Sequence, residues 1–301
     1  MLREVGNFNL KADESMENQQ TVADSAAYSG IALHSGARSA VRVRPAPENT
    51  GIIFRRVDLP GKPEVQALAS NVVDVRRGTT IANGNAVVFT VEHIMSTLNA
   101  FHVDNCIVEM DGMEPPIGDG SSLPYCKMLR DAGIVRQEAE AKVFTPASPL
   151  YVEGGNTRLV IIPGPELRIC CTTSFSGCPI DPQFYEFTAT TPEAYETEVA
   201  GGRTFVDFRD LQQLLAMGLV KGGSLDAAAI IHDGAIICKE ALRYPNEIVR
   251  HKILDIVGDI YLAGCRITGT ILAIKPGHPK NVELAGLIQK EIMTGKTGLN
   301  A

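Results

Sequence analysis

The sequence predicts an α+β protein built from two similar domains, and three observations support this fold class. The 301 residues are 45% hydrophobic and 21% charged, which is typical of globular proteins and long enough for two domains. A strand pattern, a proline-containing turn and a second strand pattern occur early in the chain and recur near its middle. Helical patterns follow each occurrence. We expect a polar extension at 1–18, a first domain at 19–140 and a second at 141–301.

The strand patterns of the two halves follow the same order. In the first half, VRVR (41–44) alternates, a Pro-Ala-Pro turn follows, and GIIFRR (51–56) returns. We expect these two strands to pair like a hairpin around the turn. In the second half, RLVII (158–162), a Pro-Gly-Pro turn and LRICCT (167–172) repeat the order. The charged, proline-containing stretch 137–149 is interpreted as a linker.

Helices are predicted where apolar residues recur with a period of 3.6 and a capping residue is at hand. Gly133, Gly218 and Gly264 would end three of them, and Asn246 would begin one. The predicted helical ranges are 91–101, 123–132, 208–217, 247–262 and 281–291, with an apolar strand at 268–274.

Composition and charge exclude several classes of function. The net charge of −7 and the pI of about 5.5 argue against a nucleic-acid partner, since phosphate backbones are bound by basic surfaces. The N-terminus has no apolar signal-peptide core, and no apolar run is long enough for a transmembrane segment. Seven cysteines without a C-x-x-C pair indicate free thiols in a reducing compartment. We therefore expect a cytoplasmic protein.

The first chemical pattern lies in the predicted helix 247–262. His251, Asp255 and Asp259 follow one another at four-residue spacing, so they share one helix face. His251 and Asp255 would suit a metal ion, by the same logic that places two ligands of H-E-x-x-H on one face. A solvated face of mixed charge is the alternative that the spacing leaves open.

Two further patterns add chemistry. Thr90 would cap the helix that begins near 91 and so place Glu92 and His93 in its first turn. Glu92 would also fit a purely structural role there, because the helix dipole favours acidic residues. Lys275-Pro-Gly-His278 leaves a histidine on a turn after an apolar strand, where catalytic groups are common, although a surface histidine fits equally.

Together these patterns are more specific than any one of them. Two histidines and one carboxylate form a zinc set with an open fourth position, which is the catalytic arrangement. A neighbouring glutamate can act as base and another histidine as acid. Such a set can hydrolyse an amide or an ester.

The sequence closely resembles the UDP-3-O-acyl-N-acetylglucosamine deacetylases, zinc enzymes of lipid A biosynthesis. The resemblance extends from about residue 19 to the C-terminus. It rests on these motifs, in order: SGIALHSG (29–36), RPAP (44–47), GIIFRR (51–56), VEHIMS (91–96), DGS (119–121), RTF (203–205), GGSLD (222–226), RHKILDIVGD (250–259) and Gly277-His278.

The resemblance implies a role for each matching residue. His93, His251 and Asp255 match the zinc ligands, with ferrous iron as the alternative metal. The proton-transfer set is Glu92 as general base, His278 as the acid for the leaving amine, and Asp259 as the residue that orients His278. Thr204 would donate a hydrogen bond to the tetrahedral intermediate. The substrate set is Phe205 in the substrate site, Lys252 on an adjacent helix face near the UDP phosphates, and Lys275 as a further phosphate contact. His34 matches a position near the site without an assigned role.

The family fold implied by the resemblance has two domains, each with a sheet and a helix pair, the helices sandwiched between the sheets. An insert in the second domain would form an apolar passage for the acyl chain of the substrate, within about 203–224. We expect a monomer whose substrate is UDP-3-O-acyl-N-acetylglucosamine. A zinc amidase for another nucleotide sugar and a non-catalytic nucleotide-sugar-binding protein are the alternatives.

Overall fold

The computed structural model describes residues 18–174 and 181–295, together with the backbone of residues 298 and 299. The predicted polar extension at 1–18 therefore lies outside the described residues, except for Asn18, which begins the first strand. Within these ranges, no helix has the length and apolar character needed to cross a membrane.

Strands are labelled in chain order and belong to two large sheets and several small ones. They are β1 (Asn18–Val22), β2 (Ala26–Ile31), β3 (Arg38–Pro45), β4 (Ile52–Arg56), β5 (Glu64–Gln66), β6 (Val72–Asp74), β7 (Thr80–Asn83), β8 (Ala86–Val88), β9 (Cys106–Met110), β10 (Ile134–Glu140), β11 (Val143–Thr145), β12 (Leu150–Gly154), β13 (Thr157–Ile162), β14 (Leu167–Thr173), β15 (Gln183–Thr188), β16 (Phe205–Asp207), β17 (Ala229–His232), β18 (Ala235–Ile237), β19 (Arg266–Ile267), β20 (Gly269–Ile274) and β21 (Gly298–Leu299).

The helices are labelled in the same way. They are α1 (Glu92–Ala100), α2 (Leu123–Ala132), α3 (Pro192–Tyr195), α4 (Phe208–Ala216), α5 (Glu247–Tyr261) and α6 (His278–Thr294). Gly133, Gly218 and Gly264 follow α2, α4 and α5 with positive φ, as the sequence predicts for helix ends. The closing helix is longer than predicted because it begins at His278, where Pro279 is compatible with a first helical turn.

The two halves repeat one topology. The first large sheet has the order β2-β3-β9-β4-β5 and the second has the order β12-β13-β20-β14-β15. In each, the central strand arrives late in the chain, after α1 or α5. It runs antiparallel to one neighbour and parallel to the other. The predicted α+β fold with two related halves is thus confirmed.

The hairpin pairing predicted for the first half is wrong, and the corresponding strands of the second half do not pair with each other either. β9 lies between β3 and β4, and β20 lies between β13 and β14. The proline-containing turns therefore connect strands that are one position apart in the sheet. A local pattern could not reveal this, because the intervening strand comes from more than forty positions later in the sequence.

The helices form a layer between the large sheets. α1 packs against α5, α5 and α6 pack on strands of the second sheet, and α2 packs on β2 of the first. Every residue of α1 is buried, as are most residues of α5. Helices buried on all sides fit a sandwiched layer, in agreement with the expected arrangement.

The predicted linker at 137–149 is also wrong as a structureless connection. It contains the end of β10 and the whole of β11. β10 pairs with β1, and β11 runs parallel to β19, so the segment is held to both halves of the chain. The prediction failed because the end of β10, at 137–140, is polar and carries two glutamates, a composition that resembles a charged loop.

Gly258 sets the closest approach between α1 and α5. A Cβ at this position would lie 2.1 Å from the carbonyl oxygen of Glu92. We predict that Gly258→Ala lowers the free energy of unfolding by about 1–3 kcal/mol or more, the usual effect of overpacking. Equilibrium unfolding in urea measures this change.

Gly286 provides the matched control, because it is also a helical glycine but has no atom within 4 Å of an added Cβ. Gly286→Ala should be neutral or stabilising by up to about 1 kcal/mol, the difference in helix propensity. Equal effects at the two positions would contradict the close approach at Gly258.

Candidate metal centre and active site

The crossing of α1 and α5 brings the predicted chemical residues together. His93 lies in the first turn of α1, and His251 and Asp255 lie one turn apart on α5. All three side chains are buried. Each offers one ligand atom, and these atoms lie within 4.8 Å of one another. The structure therefore brings together the three residues that the resemblance implied as metal ligands. His93, His251 and Asp255 are called the ligand cluster.

The two histidines are oriented by their surroundings. His251 Nδ1 lies 3.0 Å from the Gly202 carbonyl oxygen and donates a hydrogen bond to it. This fixes the tautomer and leaves the Nε2 lone pair free, on the side where Asp255 Oδ1 lies 3.5 Å away. The rings of His93 and His251 meet edge to face with centroids 5.3 Å apart.

The unsatisfied atoms of this cluster fit a divalent cation. Among the described residues, His93 Nδ1 and Asp255 Oδ1 are buried and have no hydrogen-bond partner, although buried polar atoms normally have one. Burial and the neighbouring His251 lower the pKa of His93 to about 3. Burial also lowers the pKa of His251. Neutral imidazoles and an ionised carboxylate are the states in which these groups bind zinc or ferrous iron.

Lys252 lies closer to the ligands than the predicted separate helix face implied. Its Nζ donates to Asp255 Oδ2 at 2.8 Å and stands 5.1 Å from the centre of the Phe205 ring. Burial alone would raise the pKa of Asp255, but Lys252 and His251 hold it below its usual range. The reason for the contact is spacing, since residues three apart on a helix are neighbours.

Glu92 is buried beside the ligand cluster and oriented by the main chain. The Thr79 amide donates to Glu92 Oε2 at 2.9 Å. Burial raises the pKa of Glu92 to about 7, with His278 opposing and the carboxylates of Asp259 and Asp255 adding to the rise. A carboxylate with a pKa near neutrality can both accept and release a proton.

The predicted cap at Thr90 is wrong, although Glu92 and His93 do lie in the first helical turn. Val91 precedes the helix, and no side chain caps it. Thr90 has a φ of 53°, and its hydroxyl donates to Glu114 Oε1 at 3.2 Å. The Thr90 hydroxyl therefore binds the buried Glu114 carboxylate and does not cap α1.

His278 and Asp259 form a hydrogen-bonded pair. His278 Nδ1 lies 2.9 Å from Asp259 Oδ2, and its Nε2 lies 3.8 Å from Glu92 Oε1. Burial lowers the pKa of His278, but the carboxylates of Asp259, Glu92 and Asp255 outweigh it and raise the pKa to about 10. His278 is the first residue of α6, where the sequence placed it on a turn.

Two polar residues of the site escaped the sequence analysis. Thr79 Oγ1 donates to Asp259 Oδ1 at 2.6 Å, and Asn281 Nδ2 donates to Asp259 Oδ2 at 2.9 Å. Both are fully buried. The spacing of Asn281, three residues after His278 on the same helix, could have indicated that it lies near His278. Thr79 had none, because it lies 180 positions from the aspartate that it contacts.

A cavity of about 330 Å³ opens beside the ligand cluster. Phe205 belongs to its wall and also meets the His251 ring, with centroids 5.9 Å apart. The wall is formed mainly by apolar side chains of the segment that follows Thr204, and consists of Leu33, Thr204, Phe205, Val206, Leu211, Leu215, Val220, Gly223, Ser224, Leu225, Ala228 and Ile230.

Three predicted residues contribute no polar side-chain contact to the ligand cluster among the described residues. Within the described ranges, no hydrogen bond or ion pair joins the side chain of Thr204, Lys275 or His34 to a ligand. The Thr204 amide donates to the Gly120 carbonyl, and the Lys275 amide to that of Thr172. His34 Nε2 lies 3.1 Å from the Arg77 carbonyl, on the segment that leads to Thr79.

Comparison with known proteins agrees with this geometry. Relatives named UDP-3-O-acyl-N-acetylglucosamine deacetylase include proteins of Chlamydia abortus (strain DSM 27085 / S26/3) and Geobacter sp. (strain M21). The first is 37% identical over 88% of this chain and 95% of its own length. The second is 39% identical over 88% and 87%, respectively. Residues 19–290 match the family described as LpxC, UDP-3-O-acyl N-acetylglycosamine deacetylase, and the chain belongs to this family.

Proposed function

We propose that this protein is a metal-dependent deacetylase that hydrolyses the N-acetyl group of UDP-3-O-acyl-N-acetylglucosamine in lipid A biosynthesis. Water adds to the amide carbonyl, the C–N bond breaks, and acetate and the free amine leave. One observation carries the proposal: Glu92 and His278 face each other at 3.8 Å beside the His93, His251 and Asp255 cluster. A base, an acid and a metal set in one buried site suit amide hydrolysis.

One divalent ion would be held by His93, His251 and Asp255, with zinc as the proposed metal and ferrous iron as the alternative. When bound, such an ion supplies Lewis acidity toward a carbonyl oxygen and makes a water molecule a better nucleophile. Asp255 would bind through Oδ1, since Lys252 occupies Oδ2.

The proton transfers fall to Glu92 and His278. Glu92 takes a proton from the attacking water through Oε1, because the Thr79 amide already holds Oε2. His278 gives a proton to the leaving nitrogen through Nε2, because its Nδ1 is held by Asp259. The carboxylates around His278 keep this imidazole protonated at neutral pH.

Substrate contacts are proposed for Thr204, Phe205, Lys252 and Lys275. Phe205 is supported by its place between the His251 ring and the cavity. Thr204 lines the same cavity and would donate a hydroxyl to the tetrahedral intermediate. Lys252 would meet a phosphate at the cluster edge, and Lys275 one farther away.

The cavity is proposed to hold the acyl chain. Its volume of about 330 Å³ and its apolar wall suit an alkyl chain, and it begins at Thr204 and Phe205 next to the ligand cluster. The residues 203–224 and the neighbouring 225–230 would then form the acyl passage of a second domain at 141–301. A cytoplasmic monomer completes the proposal.

Acetate release from UDP-3-O-acyl-N-acetylglucosamine by the purified, metal-loaded protein tests the activity directly. The same sugar without its acyl chain is the control substrate, and a much slower reaction is expected with it. Equal rates would favour an amidase for another nucleotide sugar. Binding of the substrate without acetate release would favour a non-catalytic binding protein.

Metal binding should depend on the three proposed ligands. We predict that His93→Ala, His251→Ala and Asp255→Ala each lower the affinity for zinc, as measured by chelator competition and by metal content. His232→Ala is the matched control, since this partly exposed histidine lies on β17 and its Nε2 faces Asp233, which is not one of the proposed ligands. Zinc retained by all three ligand variants, or lost on Cys170→Ser, would refute the assignment.

The rate should depend on pH through His278. A positioned acid or base contributes about 10²–10⁴-fold, so Glu92→Ala and His278→Ala should each lose about that much in kcat while retaining metal. Activity should fall as rising pH deprotonates His278. Asp259→Asn removes a charge that raises the pKa of His278, so the basic limb of the profile should move to lower pH. An unmoved basic limb would mean that another group donates the proton.

The acyl cavity makes a separate prediction. Ala228→Phe should fill part of the cavity and lower kcat/KM for long acyl chains more than for short ones. Ala216→Phe, on an exposed position of α4 outside the cavity wall, should leave the chain-length profile unchanged. Identical profiles for both variants and the unaltered protein would place the acyl chain elsewhere.

A further inference from the structure

We propose that Thr79 is a positioning residue that aligns the acid and the base of the site, with Asn281 as its partner on the acid side. This inference rests on the proposed deacetylase function and deepens it. Neither residue touches the reacting atoms. Both hold Asp259 by hydrogen bonds, and the Thr79 amide holds Glu92. Thr79 Oγ1 also lies 3.4 Å from His278 Nδ1, the ring nitrogen that faces Asp259.

The Asp259 carboxylate is held from both sides. Oδ1 accepts the Thr79 hydroxyl at 2.6 Å, and Oδ2 accepts the Asn281 amide at 2.9 Å. Oδ2 also faces His278 Nδ1 at 2.9 Å. With donors on both oxygens, the carboxylate cannot rotate without breaking a buried hydrogen bond, and a buried unpaired acceptor is costly. The plane of the carboxylate is therefore fixed relative to the imidazole.

The fixed carboxylate determines which nitrogen of His278 is free. An ionised carboxylate can only accept, so His278 Nδ1 must donate to it. Nε2 then points away from Asp259 and lies 3.8 Å from Glu92 Oε1. The proton that leaves His278 during turnover is thus the Nε2 proton.

The main chain of Thr79 contacts Glu92, the proposed base. Its amide donates to Glu92 Oε2 at 2.9 Å, which leaves Oε1 as the oxygen that faces His278. Its carbonyl accepts the amide of Val91 at 3.2 Å, just before α1 begins. One buried residue next to β7 therefore connects the start of α1 to Asp259 on α5. No other residue in the described part of the chain forms hydrogen bonds with both Glu92 and Asp259.

Thr79→Val isolates the hydroxyl, because it keeps the shape of the side chain and the amide that holds Glu92. We expect kcat to fall by about 10–100-fold, the range for losing one hydrogen bond to a charged group, while KM and zinc content stay near their original values. Thr79→Ser restores the hydroxyl and should restore most of kcat. Thr80→Val, at the next and similarly buried position, is the matched control and should leave kcat unchanged.

A double-mutant cycle tests whether Thr79 acts through Asp259. In an Asp259→Asn background, Thr79→Val should cause little further loss, because the carboxylate that it aligns is already gone. Asn281→Leu should behave like Thr79→Val and gives a second route if the threonine variant does not fold. Multiplied losses in the double variant would overturn the inference.

The outcome also separates this inference from the proposed function. Full kcat in both Thr79→Val and Asn281→Leu, with His278→Ala inactive, would refute the positioning role and leave the deacetylase intact. Loss of zinc or of folding in Thr79→Val without rescue by Thr79→Ser would mark Thr79 as structural and refute it as well. No acetate release by the unaltered protein would refute the function itself.

Discussion

The contact between Gly258 of α5 and the main chain of Glu92 in α1 determines how closely the two central helices approach. Only a residue without a side chain allows it, since an added Cβ would lie 2.1 Å from the Glu92 carbonyl oxygen. The proposed ligand histidines lie on these two helices, one on each, and the carboxylates Asp255 and Asp259 lie on either side of Gly258 in the sequence of α5. A wider separation would move His93 away from His251, so the site depends on this contact.

The site also depends on a balance of charges that are removed from water. Glu92, Asp255 and Asp259 are all buried, and burial disfavours three neighbouring carboxylates. Lys252 offsets Asp255, and His278 offsets Asp259 and Glu92. Burial raises the pKa of Glu92 and His278 lowers it, while Asp259 and Asp255 add to the rise. Burial lowers the pKa of His278, but Asp259, Glu92 and Asp255 outweigh it and raise the pKa. Glu92 and His278 therefore shift the pKa values of one another.

The two halves share one topology but contribute different residues to the site. The first half supplies His93 and Glu92 from α1 and the neighbouring Thr79, and the second supplies the two other proposed ligands and His278. The corresponding helices α1 and α5 precede corresponding central strands, yet their polar residues differ. The segment between β15 and α5, where the second half carries α3, α4 and β16–β18, adds the apolar cavity. The same topology therefore carries a different set of polar side chains in each half.

The sequence by itself determined five of the six described α-helices and the two strand-rich halves, because period and capping glycines are local properties. The roles expected of the chemical residues came from motifs shared with the family. The sequence placed His251, Asp255 and Asp259 on one helix face, and the structure agrees. The order of the strands and the contact of Thr90 with Glu114, which replaces the predicted cap, were decided only by the tertiary structure. The same holds for Thr79, whose hydroxyl reaches Asp259 across 180 positions. No local pattern encodes such contacts, since they arise only when α1, α5 and the segment before β7 are packed together.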